Sequence, residues 1–116
     1  MGVTQVKGRA GEMLAASYLE LAGCTIRARN VRLAGVEVDL IVQDGPAQVI
    51  VEVKVRRRSD FGGAAAAIDP TKRMRLTRAA HALLQQGARR VRIDVVAIDL
   101  DAEGAAVRHY RSAVTE

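Results

Sequence analysis

Val49-Ile50-Val51-Glu52-Val53-Lys54-Val55 reads as a strand that carries charge on one side only. Successive side chains of a strand point to opposite faces, so Val49, Val51, Val53 and Val55 line one face while Ile50, Glu52, Lys54 and then Arg56 line the other. A second apolar run, Val36-Glu37-Val38-Asp39-Leu40-Ile41-Val42, lies just upstream, with Glu37 and Asp39 on a common face. Paired as a hairpin, the two runs bring Asp39, Glu52 and Lys54 to one sheet surface. Ionised groups in apolar sequence are costly unless paired or bound to a metal. Two carboxylates and an ammonium suit a site that hydrolyses phosphodiesters with a divalent metal. Oxygen donors hold a hard cation such as Mg²⁺, and the ammonium orients water or stabilises developing charge. Taken alone, Glu52-Val53-Lys54 is better read as a solvated surface pair worth almost nothing. Asp39 at hairpin distance makes the two readings level, and the rest of the chain decides between them.

The chain has 116 residues, 49% hydrophobic and 27% charged, which suits one domain spanning residues 1–116 with a modest core. No apolar stretch is long enough for a membrane span, and the N-terminus lacks the pattern of a signal peptide. Cys24 is the only cysteine, which excludes an internal disulfide and fits a reducing cytoplasm. It reads as a small packing residue. The formal charge of +5 and a pI near 10.1 point to a polyanionic partner. Tyr18, Phe61 and Tyr110 are scattered and there is no tryptophan, so the aromatic platform of a single-strand binder is missing.

Helical spacing of Ala10, Leu14, Tyr18 and Leu21 predicts a helix over 5–21, with Thr4 as N-cap and Gly23 as its stop. Strands are expected over 25–31, 36–43 and 48–57, with turns at Ala34-Gly35 and Asp44-Gly45-Pro46. A small-residue loop over 59–67 follows. Asp69 then caps a helix over 70–86 with Pro70 at its first position. A strand over 92–100 and a short one over 105–110 complete the chain. The connection from the third strand through the second helix to the fourth is a natural crossover between parallel strands. The expectation is a single α/β domain: a mixed central sheet of four to five strands flanked by two main helices.

Gly8-Arg9-Ala10-Gly11-Glu12, Arg29-Asn30, Glu37-Val38-Asp39-Leu40-Ile41, Val51-Glu52-Val53-Lys54 and Arg56 resemble the YraN family of small bacterial proteins, as do Phe61-Gly62, Lys72, Arg75-Leu76 and Asp94-Val95-Val96. The likeness runs through nearly the whole chain in order and at matching spacing. One departure is that Gly35 stands one place earlier than in the family's Gly-Glu-Ile-Asp. That family is similar to the restriction-endonuclease-like superfamily, PD-(D/E)xK, and within it to archaeal Holliday-junction resolvases. The resemblance implies a restriction-endonuclease-like fold, with Asp39, Glu52 and Lys54 as the superfamily's aspartate, glutamate and lysine. It matches Glu12 to the acidic residue that resolvases carry on the first helix. The residues themselves support Glu12, because Gly8 and Gly11 flank it in a helix that would favour alanine and would let a backbone or phosphate come close.

The catalytic set expected is therefore Glu12, Asp39, Glu52 and Lys54, with Glu12, Asp39 and Glu52 holding Mg²⁺ or Mn²⁺. Glu37 is read as a partner of Arg29 or Arg32 in preference to a further ligand. Lys72, Arg75 and Arg78 recur at three-residue spacing on the second helix, and with Arg56 they form the expected phosphate-binding ridge. Arg89, Arg90 and Arg92 read as solvated, and His81 and His109 receive no role. The expected activity is metal-dependent cleavage of nucleic acid, DNA rather than RNA, with branched or flapped structures as candidate substrates and a homodimer as candidate assembly. The rival is a non-catalytic nucleic-acid-binding protein that keeps the nuclease fold.

Overall fold

A computed structural model of the chain describes residues 3–57 and 68–114, with residues 3–7 as backbone alone. The elements are α1 (Val3–Leu21), β1 (Thr25–Leu33), β2 (Val36–Asp44), β3 (Ala47–Arg57), α2 (Pro70–Gln85), β4 (Val91–Asp101) and β5 (Gly104–Tyr110). They form one five-stranded sheet in the order β1-β2-β3-β4-β5. β3 and β4 are parallel and every other pair is antiparallel. The α/β class, the mixed sheet and the two flanking helices are as expected, with boundaries within two residues of the sequence reading. Helix α1 already includes Thr4, so Thr4 is not its N-cap. The small-residue loop, with Phe61-Gly62-Gly63, lies outside the described residues.

Local chemistry accounts for the connections. Ala34 and Gly35 both have positive φ, 50° and 77°, the backbone that a two-residue turn needs to match strand twist. Asp69 caps α2 by accepting a hydrogen bond from the Lys72 amide at 2.9 Å, and Pro70 occupies the first turn, where a missing N–H costs nothing.

The sheet is covered on both sides. Ala15, Ala16 and Leu19 of α1 pack with Leu40, Val42, Val49, Val51, Val96 and Ile98 on one face. Leu76, Ala79, Ala80 and Leu83 of α2 pack with Val38, Ile41, Ile50, Ile93 and Val95 on the other. The valine side of the opening stretch therefore meets α1, and Glu52 and Lys54 emerge on the α2 side. Cys24 is buried in the α1-side core as a packing residue.

Candidate functional site

The site begins where β2 leaves β3. The two strands pair from Asp44↔Ala47 to Leu40↔Val51 and no further. Just past that point the alternation of β2 reverses: Leu40 and Val42 face α1, whereas Val36 and Val38 face α2. Asp39 occupies the reversal. Opposite it on β1, between the pairs Arg29↔Leu40 and Val31↔Val38, stands Asn30 with φ 49°. Asparagine is among the few non-glycine residues that adopt this backbone readily. The parting of β2 from β3 leaves the Val53 N–H without a ladder partner. Asp39 Oδ2 accepts it at 2.9 Å, so the carboxylate substitutes for a strand carbonyl.

Glu52 lies beside Asp39 on β3, its side chain only 13% exposed, and Lys72 Nζ approaches its Oε2 at 3.2 Å. Burial pushes the Glu52 carboxyl up to about 7, and the neighbouring Asp39 charge pushes in the same direction while Lys72 pulls it down. A hydrogen bond between the two carboxyls, available only while one holds a proton, adds to the rise. A cation beside Glu52 would relieve that penalty.

Glu12 comes from α1. Its carboxyl is raised by burial, then by the Asp39 charge, with Glu37 adding to the rise; a hydrogen bond with Asn30 and the Arg9 charge oppose it. Asn30 thus links the strand reversal to Glu12, a role the sequence reading did not give it. Gly11 explains how α1 comes so near. A Cβ there would overlap Val55 Cγ2 of β3, so the glycine serves helix–sheet approach rather than phosphate access. Gly8 faces open space. Glu37 is exposed and sits opposite Arg32 in the β1–β2 ladder, whereas the Arg32 guanidinium donates to the Gly35 carbonyl. Among the described residues, no group of three acidic, histidine or cysteine side chains is gathered tightly enough to hold a metal ion. Asp39 and Glu52 adjoin, and Glu12 bears on Asp39 by charge from the α1 side.

Lys54 shares the Glu52 face. Burial lowers its pKa, the charges of Arg56 and Lys72 lower it further, and Glu52 and Asp69 oppose them. Arg56 continues the same row, half-buried, opposite Asp99 of β4. Of the expected ridge, Arg75 and Arg78 are exposed on α2. Lys72 instead lies in line with buried Leu76 and pairs with Glu52, so it belongs to the carboxylate pair rather than to a solvated ridge.

A second polar cluster, on the α1 face of the sheet, corrects the reading of Arg92 and His109. Asp94 is fully buried. Its Oδ1 accepts from Arg92 Nε at 2.8 Å and from the Ser112 amide at 3.0 Å, and its Oδ2 lies 2.7 Å from His109 Nε2. Arg92 also bonds Asp44 Oδ2 at 2.8 Å, and Tyr18 Oη meets His109 Nδ1 at 3.1 Å. Burial alone would raise the Asp94 carboxyl, but its hydrogen bonds from Arg92, Ser112 and His109 hold it below the ordinary value. Arg92 is therefore a buried-pair partner and not a solvated charge. The signal available in sequence was Asp94 itself, a lone acid in Ile93-Asp94-Val95-Val96.

Comparison with known proteins adds the lineage. The chain is 47% identical over 97 residues to a UPF0102 protein of Dechloromonas aromatica, covering 83% of this chain and 81% of that one. It is 51% identical over 92 residues to a UPF0102 protein of Yersinia pseudotuberculosis, covering 75% and 79%. Among solved structures it is similar to Pyrococcus furiosus SfsA, described in complex with Ca²⁺, at 16% identity and a TM-score of 0.38, covering 97% of this chain and 65% of that one. At that level the likeness bears on neither chemistry nor partners. The model of the uncharacterised protein family UPF0102 matches residues 11–98, a span that takes in Glu12, Asp39, Glu52, Lys54 and Lys72, and the chain belongs to that family, the YraN family of the sequence reading.

Proposed function

We propose that this protein is a metal-dependent phosphodiester hydrolase acting on DNA, of the restriction-endonuclease-like kind its sequence resembles. The observation that carries the reading is the convergence of Asp39 and Glu52 where β2 parts from β3, with Lys54 on the same row as Glu52. Lys72 offsets only one of the two carboxylates, and a purely structural role is a poor account of a second acid placed beside it.

The donor set fits Mg²⁺ or Mn²⁺: carboxylate oxygens suit hard cations, and Mg²⁺ is commonly held by one or two carboxylates with water completing its shell. Asp39 and Glu52 would hold it, and Glu12 adds negative charge from α1. When bound, such a metal offsets phosphate charge and makes water a stronger nucleophile. The chain's own groups do the rest. The Val53 amide fixes Asp39 through its Oδ2. Glu52 releases its proton to become a donor. Lys54, its pKa already lowered, orients the attacking water or meets the charge that develops on phosphate. Arg56, Arg75 and Arg78 bind flanking phosphates, in keeping with the net charge of +5.

Branched or flapped DNA is the proposed substrate class. A homodimer would match the two symmetric cuts of a four-way junction. A cytoplasmic setting suits the single buried thiol, and among the described residues no helix is long and apolar enough to cross a membrane.

The test is a cleavage screen of the full chain and its Asp39→Asn variant over linear, single-stranded, flapped and four-way DNA with Mg²⁺ or Mn²⁺. Cleavage by the parent protein that Asp39→Asn abolishes supports the reading. DNA binding by both without cleavage on any substrate would favour the non-catalytic binder.

A further inference from the structure

Lys72 is placed unlike the other cations of α2. Its amide is tied to the Asp69 cap at 2.9 Å, which fixes the root of the side chain in the first helical turn. From there the flexible stem carries the ammonium inward to Glu52 Oε2 at 3.2 Å. The two ends differ in access: the Lys72 side chain is 34% exposed and that of Glu52 13%. The lysine can therefore leave the pair for solvent, whereas the carboxylate cannot. Lys72 also works against Lys54, whose pKa its charge lowers. The pair is thus strained by a second ammonium on one side and by the Asp39 carboxylate on the other.

We propose that Lys72 is a displaceable internal counter-ion: its ammonium holds Glu52 until a divalent metal takes the carboxylate, and the freed ammonium then turns outward to the phosphate of the bound strand. This rests on the metal reading of Asp39 and Glu52 given above. A carboxylate this enclosed, left with no cation, would carry an uncompensated buried charge, and Lys72 removes that charge in the metal-free protein. A divalent ion brings more charge to the same oxygen and repels both lysines, of which only Lys72 has a long tether rooted outside the sheet. The exchange couples loading of the metal to presentation of a phosphate-binding cation, so α2 grips DNA best once the site is ready to cut.

Calorimetric titration with Mn²⁺ at pH 8.5 tests the exchange on four proteins: parent, Lys72→Met, Lys72→Arg and Arg73→Met. Lys72→Met removes the competitor and should bind Mn²⁺ roughly tenfold more tightly than the parent. Lys72→Arg keeps a cation with a carboxylate-matching fork and should bind no more tightly than the parent. Arg73→Met removes the same charge from the same turn without a described contact to Glu52, and should stay within about twofold of the parent. Lysine-selective NMR provides a second readout that does not depend on the variants folding equally well. In the parent, adding Mg²⁺ should move the Lys72 ammonium signal to the position it has in metal-free Glu52→Gln. Equal Mn²⁺ affinity in parent and Lys72→Met, or a Lys72 signal unmoved by Mg²⁺ that does bind, overturns the exchange and leaves the metal site standing. Absence of Mn²⁺ binding in all four proteins overturns the metal site and the exchange together.

Discussion

Replacing Glu52 with glutamine should stabilise the protein at alkaline pH and do almost nothing at acid pH. The folded chain holds the Glu52 carboxyl near 7, against an ordinary value of 4.5. Below pH 4.5 both folded and unfolded chains carry the proton, and the acid is nearly isosteric with glutamine. Between 4.5 and about 7 the unfolded chain releases the proton while the folded chain retains it, so stability falls as pH rises. Above 7 the full penalty is present. Each pH unit of that displacement is worth about 1.4 kcal/mol, and with water reaching the carboxyl the penalty comes to about 2 kcal/mol. For a chain of 116 residues that corresponds to roughly 6–10 °C in Tm. Thermal unfolding of parent and Glu52→Gln, followed by circular dichroism from pH 4 to pH 8.5, reads the effect directly. A variant less stable than the parent at pH 8.5, or a difference that does not change with pH, would show that the Glu52 carboxylate does not oppose folding. Addition of Mg²⁺ should close the gap by raising the parent alone.

Four further outcomes follow from other parts of the molecule. Gly11→Ala puts a methyl group into Val55 and should lower stability by about 1–3 kcal/mol in denaturant unfolding, with weakened metal binding as α1 carries Glu12 outward. Arg92→Met strips the buried Asp94 of its main partner and should cost about 3–5 kcal/mol. Asp94→Asn should instead flatten the acid limb of the stability curve, because the depressed Asp94 pKa adds stability that is lost only as pH falls below its ordinary 3.8. Arg75→Ala and Arg78→Ala should each weaken DNA binding regardless of sequence and reduce the salt slope by about one, as read in a fluorescence titration over salt concentration.

Much of this architecture is legible in the amino-acid sequence because its causes are local. Valine alternation from Val49 to Val55 identifies the strand and its two faces, and Asp69-Pro70 announces α2 through cap chemistry. Charges embedded in apolar runs single out Asp39, Glu52 and Lys54. What escapes is whatever depends on how separate elements meet. The reversal of β2 at Asp39 arises from its opposition to Asn30 and from the parting of β3, neither of which strand periodicity encodes. Lys72 looks like a member of a basic helix face until α2 docks and turns it onto Glu52. His109 looks isolated because its partner Tyr18 lies 91 residues away. Arg92 has a local clue, Asp94 two residues on. Even so, a solvated pair and a buried one share that spacing.

The role proposed for Lys54 is a chemical step at a metal-loaded carboxylate pair, and single-turnover cleavage by Lys54→Arg tests that claim. The variant keeps the charge, but a planar guanidinium cannot take the place of a compact ammonium beside the attacking water. On the best substrate from the screen, with Mg²⁺ or Mn²⁺, Lys54→Arg should bind DNA nearly as the parent does and cut it on the order of 10²–10³ more slowly. Equal cutting rates in the two proteins, or a parent that cuts no substrate with either metal, would contradict the claim.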